Sequence, residues 1–117
     1  MKEIKNATII SVSIEKDHKC LSALLHLNYG GDGQGFGGYS LYVPKSSSQY
    51  ARQVNYAGHF IWRILEIAGV SEWSQLIGMN IRVDADSSKV YGIGNILKND
   101  WFYPGQEFAD MEAQHSR

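Results

Sequence analysis

The chain has one cysteine, two prolines and almost no net charge, and each scarcity closes off a class of protein. A lone Cys20 makes no internal disulfide, so the fold is expected to stand on its apolar core, as in a reducing cytoplasm. Eleven Lys and Arg are offset by twelve Asp and Glu across 117 residues, leaving a net charge of −1. Duplex-binding proteins draw most of their affinity from counterion release beneath a basic stripe, and the charges here are dispersed. Duplex nucleic acid is therefore not an expected partner. No stretch approaches the ~20 apolar residues of a membrane span, and the opening MKEIKNATII lacks the apolar core of a signal peptide. A cytoplasmic protein with no membrane partner is expected.

Catalytic signatures are equally scarce. There is no G-x-S-x-G, no cysteine beside a plausible base, and no close carboxylate pair on one strand. Asp17, His18, Cys20 and His26 carry donor atoms, but a closed zinc site wants four ligands, usually several of them cysteine, so no metal is expected. His59 and Glu66 share a helix face two turns apart, beyond the about 2.6–3.2 Å that proton transfer needs. Gly33, Gly35 and Gly38 spell G-x-G-x-x-G. They run into the strand-like Tyr39-Ser40-Leu41-Tyr42-Val43, however, and not into a helix whose N–H groups would hold a pyrophosphate. No cofactor and no catalytic residue are expected. An enzyme whose site assembles across space stands as a lesser alternative.

What is present is periodicity. From Ile4 to Glu15, Ile10, Val12 and Ile14 alternate with serines as in a half-buried strand. A polar turn over residues 16–19 leads to a second strand with Leu21, Ala23, Leu25, Leu27 and Tyr29 on one face. After the glycines, Tyr39, Leu41 and Val43 read as a strand closed by Pro44. Val54 to Gly69 then repeats at helical spacing, with Gly69 as the terminator, and Ser71 is placed to cap a short turn carrying Trp73 and Leu76. Strands follow over 81–84 and Val90–Leu97. Trp62, Trp73 and Phe60 are expected in the core, with Trp101 and Phe102 covering its edge. The fold class is α+β: an antiparallel sheet of about five strands (ββ-β-α-ββ) with one main helix on one face. Residues 1–105 form this single domain, and 106–117 read as a polar, frayed tail.

Six glycines between Gly30 and Gly38 pose the functional question. They form either a bulged connection between strands or an adaptable contact surface carrying Asp32, Gln34 and Phe36 and framed by Tyr29 and Tyr39. Tyr42 and Tyr103 join the binding candidates because a tyrosine combines an apolar ring with a polar tip. Exposed N–H groups in such a loop also suit a phosphate, with a tyrosine to stack a base. Exposed sheet edges make a homodimer possible.

The segment Leu25-His26-Leu27-Asn28-Tyr29, the block from Gly30 to Tyr39, the helix residues Phe60, Ile61, Arg63, Ile64 and Leu65, Gly69-Val70 with Trp73, Ile93 to Leu97, and Asp100-Trp101-Phe102 together resemble a family of short bacteriophage and prophage proteins. The resemblance spans most of residues 4–104, and the glycine block and terminal Trp-Phe are its most specific parts. It implies a phage origin and a counter-defence role, as in anti-CRISPR proteins. The protein would bind a host protein or protein complex stoichiometrically. The alternative from the residues themselves is a sponge for a small phosphorylated or cyclic nucleotide.

Overall fold

A computed structural model describes residues 2–30 and 32–115. Along the chain run β1 (Glu3–Lys16), β2 (Leu21–Tyr29), β3 (Asp32–Gly37), α1 (Tyr56–Ala68), β4 (Asn80–Ala85), β5 (Val90–Gly94), β6 (Trp101–Phe102) and α2 (Pro104–His115). The fold is α+β. In place of about five strands and one main helix, the described residues form one six-stranded antiparallel sheet and two α-helices.

The sheet order is β3-β2-β1-β4-β5-β6. Strands β1 to β3 form a meander, and β4 returns after α1 to lie beside β1, which makes a Greek key. The turns of both long hairpins have the same chemistry. Asp17 accepts from the N–H groups of Lys19 and Cys20 between β1 and β2. Asp86 accepts from those of Ser88 and Lys89 between β4 and β5. Such Asx turns mimic a backbone turn with a short carboxylate. The sheet then curls until β3 lies against β5, with no ladder between them. The result is a barrel left open along one seam.

The concave side is filled by Ile9, Leu25, Leu27, Phe36, Ile81, Val83 and Ile93 from the strands and by Phe60, Ile64 and Ile67 from α1. Asn55 caps α1 by accepting from Gly58 N–H, and Gly69, at φ +72°, ends it as its sequence position predicts. Phe36 stacks on Phe60 at 5.8 Å between centroids and meets Phe102 edge-on at 6.2 Å.

Several expectations are corrected. The glycine block forms β3 and is not a loop: Gln34 and Phe36 point inward while Gly33 and Gly35 leave the outer face bare, a period-two pattern hidden by missing side chains. Tyr39–Val43 makes only an isolated bridge, Tyr42 to Leu21, because Gly37 and Gly38 at φ +121° and +77° turn the chain off the ladder. In β1 a bulge between Ile9 and Ser11 puts Ala7 and Ile9 inside and leaves Ile10 and Ile14 half-exposed. β5 stops at Gly94, where Asn95 accepts from the N–H groups of Leu97 and Lys98 and starts a turn. The cap of the short turn over Trp73–Leu76 is Glu72, not Ser71. Trp62, expected in the core, is 69 % exposed. Residues 106–115, expected to fray, belong to α2, where Phe108 packs on Tyr39, Tyr56 and Phe60. Residues 116 and 117 lie outside the described residues.

Phe36→Ala should cost about 3–5 kcal/mol, the range for removing a buried aromatic ring, whereas Gln34→Ala should cost far less. Denaturant midpoints for the two variants decide this. A neutral Phe36→Ala would show that β3 is not part of the core.

Candidate binding groove

The open seam is concave along its length. At the barrel mouth a cavity of about 630 Å³ is lined by Glu3, Lys5, Tyr29, Gln34 and Asp86. Gln34 leads to a second compartment of about 470 Å³ between β3 and the β4–β5 turn, walled by Tyr39 and Lys89. Tyr39 and Lys89 in turn open onto a third, also about 470 Å³, lined by Lys2, Tyr91, Tyr103 and Glu107. The floor of the middle stretch is glycine backbone: Gly35, Gly37 and Gly38.

Strand alternation places these side chains. Lys5 pairs with Val83, and Glu3 with Ala85, on the inward face of β1. Inward residues near a strand end reach the open mouth and not the packed core. Tyr29 is the last inward residue of β2, and its hydroxyl donates to Gln34 Oε1 across the β2–β3 pair. Lys5 Nζ lies 5.6 Å from the Tyr29 ring centroid. Lys89 Nζ lies 5.9 Å from the Tyr39 ring and 5.4 Å from the Tyr91 ring, with Lys2 Nζ 4.4 Å from the latter. Ammonium groups at these distances are held by the ring quadrupole, by about 0.5–1 kcal/mol at exposed sites.

The acids near the groove have partners of their own. Asp86 accepts from the Tyr91 hydroxyl at 2.7 Å and from the Ser88 hydroxyl and N–H. The Tyr91 hydroxyl, followed by the Ser88 contacts, holds the Asp86 carboxyl well below the usual range. Glu107 is bound by Arg63 Nε at 3.1 Å and by His59 Nε2 at 2.7 Å. Arg63 also donates to the Trp101 carbonyl at 2.6 Å, so this cluster clasps β6 and α2 to α1. Glu3 lies 3.7 Å from Lys5. Glu107 is thus paired within its own cluster, Asp86 keeps its negative charge because all its donors are neutral, and Glu3 and Lys5 offset each other at the mouth.

Of the sequence candidates, Tyr29, Gln34, Tyr39 and Tyr103 come together along this one groove. Phe36, expected on display, is 1 % exposed beneath the floor. Tyr42 stands apart, its ring against Tyr50. Asp32 opens β3, and its side chain lies outside what is described. Sequence reasoning missed Lys2, Lys5, Lys89 and Tyr91. The inward alternation of β1 signals Lys5, while Lys89 and Tyr91 are visible only once β5 is known to approach β3. His59, expected as a flank residue judged against Glu66, pairs with Glu107.

No family model, curated protein or solved structure matches the chain. The groove itself is the ground for any functional reading. Among the described residues, no helix is long and apolar enough to cross a membrane.

Tyr103 gives a check on the far wall. Its hydroxyl donates to Asp84 at 2.6 Å. Burial, then that bond, then the Asp84 charge push its pKa from 10.0 up to about 12. The folded state thus holds this proton more tightly than the unfolded chain. The stabilisation is complete below pH 10 and is lost as pH rises through about 12. Tyr56, raised to about 12 by burial and then by its bond to Glu112, adds to the same window. Tyr103→Phe should flatten the fall in stability over that interval without abolishing it. Equal slopes in variant and wild type would disprove the Tyr103–Asp84 assignment.

Proposed function

We propose that the protein is a non-enzymatic binding module that holds a nucleotide-bearing ligand along the seam between β3 and β5. The observation that carries this reading is the grouping of Tyr29, Tyr39 and Tyr91 with Lys5, Lys89 and Lys2 over a floor of bare glycine backbone. Rings offer stacking surfaces worth about 1–3 kcal/mol per base, ammonium groups take phosphates, and glycine lets a sugar–phosphate approach closely. Five Greek-key strands forming a partly open barrel are also the architecture of OB folds, which bind oligonucleotides and oligosaccharides. The outer β2–β3 face used in such folds carries Leu24, His26, Asn28 and glycines here, with the His26 imidazole as its one ring among the described residues. The seam suits the ligand better. A net charge of −1 fits a short ligand with few phosphates.

Fluorescence anisotropy with a labelled single-stranded oligothymidylate tests this. Binding is expected to fall with salt at a log–log slope of about −1.4, the value for two phosphate contacts on a single strand. Lys89→Ala should weaken it about tenfold, or ~1.4 kcal/mol. Binding that ignores both salt and Lys89 would remove the groove from consideration.

A second reading, stoichiometric capture of a host protein in phage counter-defence, is favoured by Trp62. This ring stands exposed on a helix whose Phe60, Ile61, Ile64 and Leu65 turn inward, and tryptophan is a frequent interface anchor. Trp62→Ala should keep stability within about 0.5 kcal/mol yet lose any host protein that the wild type retains from a bacterial lysate. Undiminished retention would rule out this face.

A further inference from the structure

We infer that the groove takes two nucleotides joined by one phosphodiester, rather than a single nucleotide or a long strand. The inference rests on the reading of the groove as a nucleotide site and adds its length. The stacking rings fall into two groups separated by a stretch with none. Tyr29 and Lys5 make one at the mouth. Tyr39 and Tyr91 make the other, and they act as one unit because Lys89 lies within 6 Å of both ring centroids. Between them the wall is Gln34 and the floor is Gly35 and Gly37, which leave room for a backbone but no platform for a base. A Cβ at Gly37 would stand 2.4 Å from the Ala23 carbonyl, so this bare floor is also enforced by packing.

The volumes agree. The mouth, about 630 Å³, and the compartment that Tyr39 and Tyr91 share, about 470 Å³, each lie within the ~300–1,000 Å³ of a small-molecule site, so each suits one nucleotide, and the glycine-floored compartment between them takes the linking phosphodiester. The two ends set the limit. Beyond the Tyr29 group the mouth presents the Glu3 carboxylate, and beyond the Tyr91 group the groove meets Glu107 at the start of α2. A third nucleotide at the mouth would set its phosphate against Glu3, and at the far end it would meet the wall formed by the start of α2. The ammonium groups now over the rings are the phosphate ligands: a base stacking on Tyr29 or Tyr39 displaces Lys5 or Lys89 toward the phosphodiester.

Calorimetric titration of the full chain with 5′-phosphorylated thymidylates of one, two, three and six residues tests the length. Affinity should rise at least about tenfold from one residue to two, the yield of a second stacked base, and change less than about threefold from two to six. Lys5→Ala, at an exposed position, should bring dinucleotide affinity down toward that of the mononucleotide. A steady climb through six residues, or equal affinity for one and two, would overturn the two-nucleotide limit while leaving the groove a nucleotide site. Absence of binding at every length would overturn both. A 3′,5′-cyclic dinucleotide run alongside decides the source: preference for the cyclic form marks a free signal, preference for the linear form a strand end.

Discussion

Strand β1 hydrogen-bonds to two partners along different parts of its length, and the groove follows from that division. Residues 3–8 pair with β4 and residues 8–16 with β2. At the change-over the Ile9 backbone bonds to Gly78 and Met79, the residues leading into β4, while the bulge shifts the register to β2. A bulge adds twist and bends its strand. One fourteen-residue strand can therefore serve two halves of a curled sheet, and the curl brings β3 within reach of β5. Had β1 run straight, Lys5 and Tyr29 would look out from a flat sheet and Lys89 would be far from Tyr39. The cation–ring groups exist because a strand bends at Ile9.

Glycine sets how near the walls approach, and it does so by two different means. At Gly37 and Gly38 positive φ takes the chain off the ladder toward Tyr39. At Gly92 and Gly94 the need is steric: a Cβ would stand 2.6 Å from the Tyr103 and Trp101 rings, which lie flat over β5. Those rings are fixed from the other side by Asp84 on the Tyr103 hydroxyl and by the Arg82 guanidinium 4.9 Å over Trp101. Arg63 then ties the Trp101 carbonyl and Glu107 to α1. The far end of the groove is thus rigid, whereas its middle has backbone for a floor and a lysine that can swing.

The elements with strong periodicity were legible before any coordinates: β2 with Ala23, Leu25 and Leu27 inward, and α1 from its apolar stripe to its terminal Gly69. The misses share a cause. In β3 the alternation is carried by Gln34 and Phe36 alone, since glycine contributes no hydrophobic signal, so a strand reads as a loop. In β1 a bulge reverses the facing of Ile10, which no local pattern announces. α2 is weakly amphipathic and is held mainly by Phe108 and by its contacts with Arg63, His59 and Tyr56, all made with residues at least 44 positions away. Long-range partners cannot be read from local spacing. The site was half legible for the same reason. Its tyrosines on the glycine block were visible, but the lysines opposite them are contributed by β1 and the β4–β5 turn.

That division of labour bears on how a nearly neutral chain can hold a phosphate. Affinity for a long polyanion scales with the number of cations set against it, and this surface has few to offer. A short ligand depends on local charge. Along the seam the local charge differs from the global one: Glu107 is paired with Arg63 and His59, while Asp86 keeps its charge and turns its oxygens to the turn N–H groups, Ser88 and Tyr91. At the mouth Glu3 and Asp86 both stand near Lys5. Lys89 and Lys2 stand together beside the Tyr91 ring, whereas the mouth sets two carboxylates, Glu3 and Asp86, against Lys5, so positive charge falls off toward the mouth. A ligand with its phosphate near Lys89 gains from this gradient, whereas a strand threading the whole groove would meet it only once. Charge that is scarce overall and focused at one step favours a small ligand over a polymer.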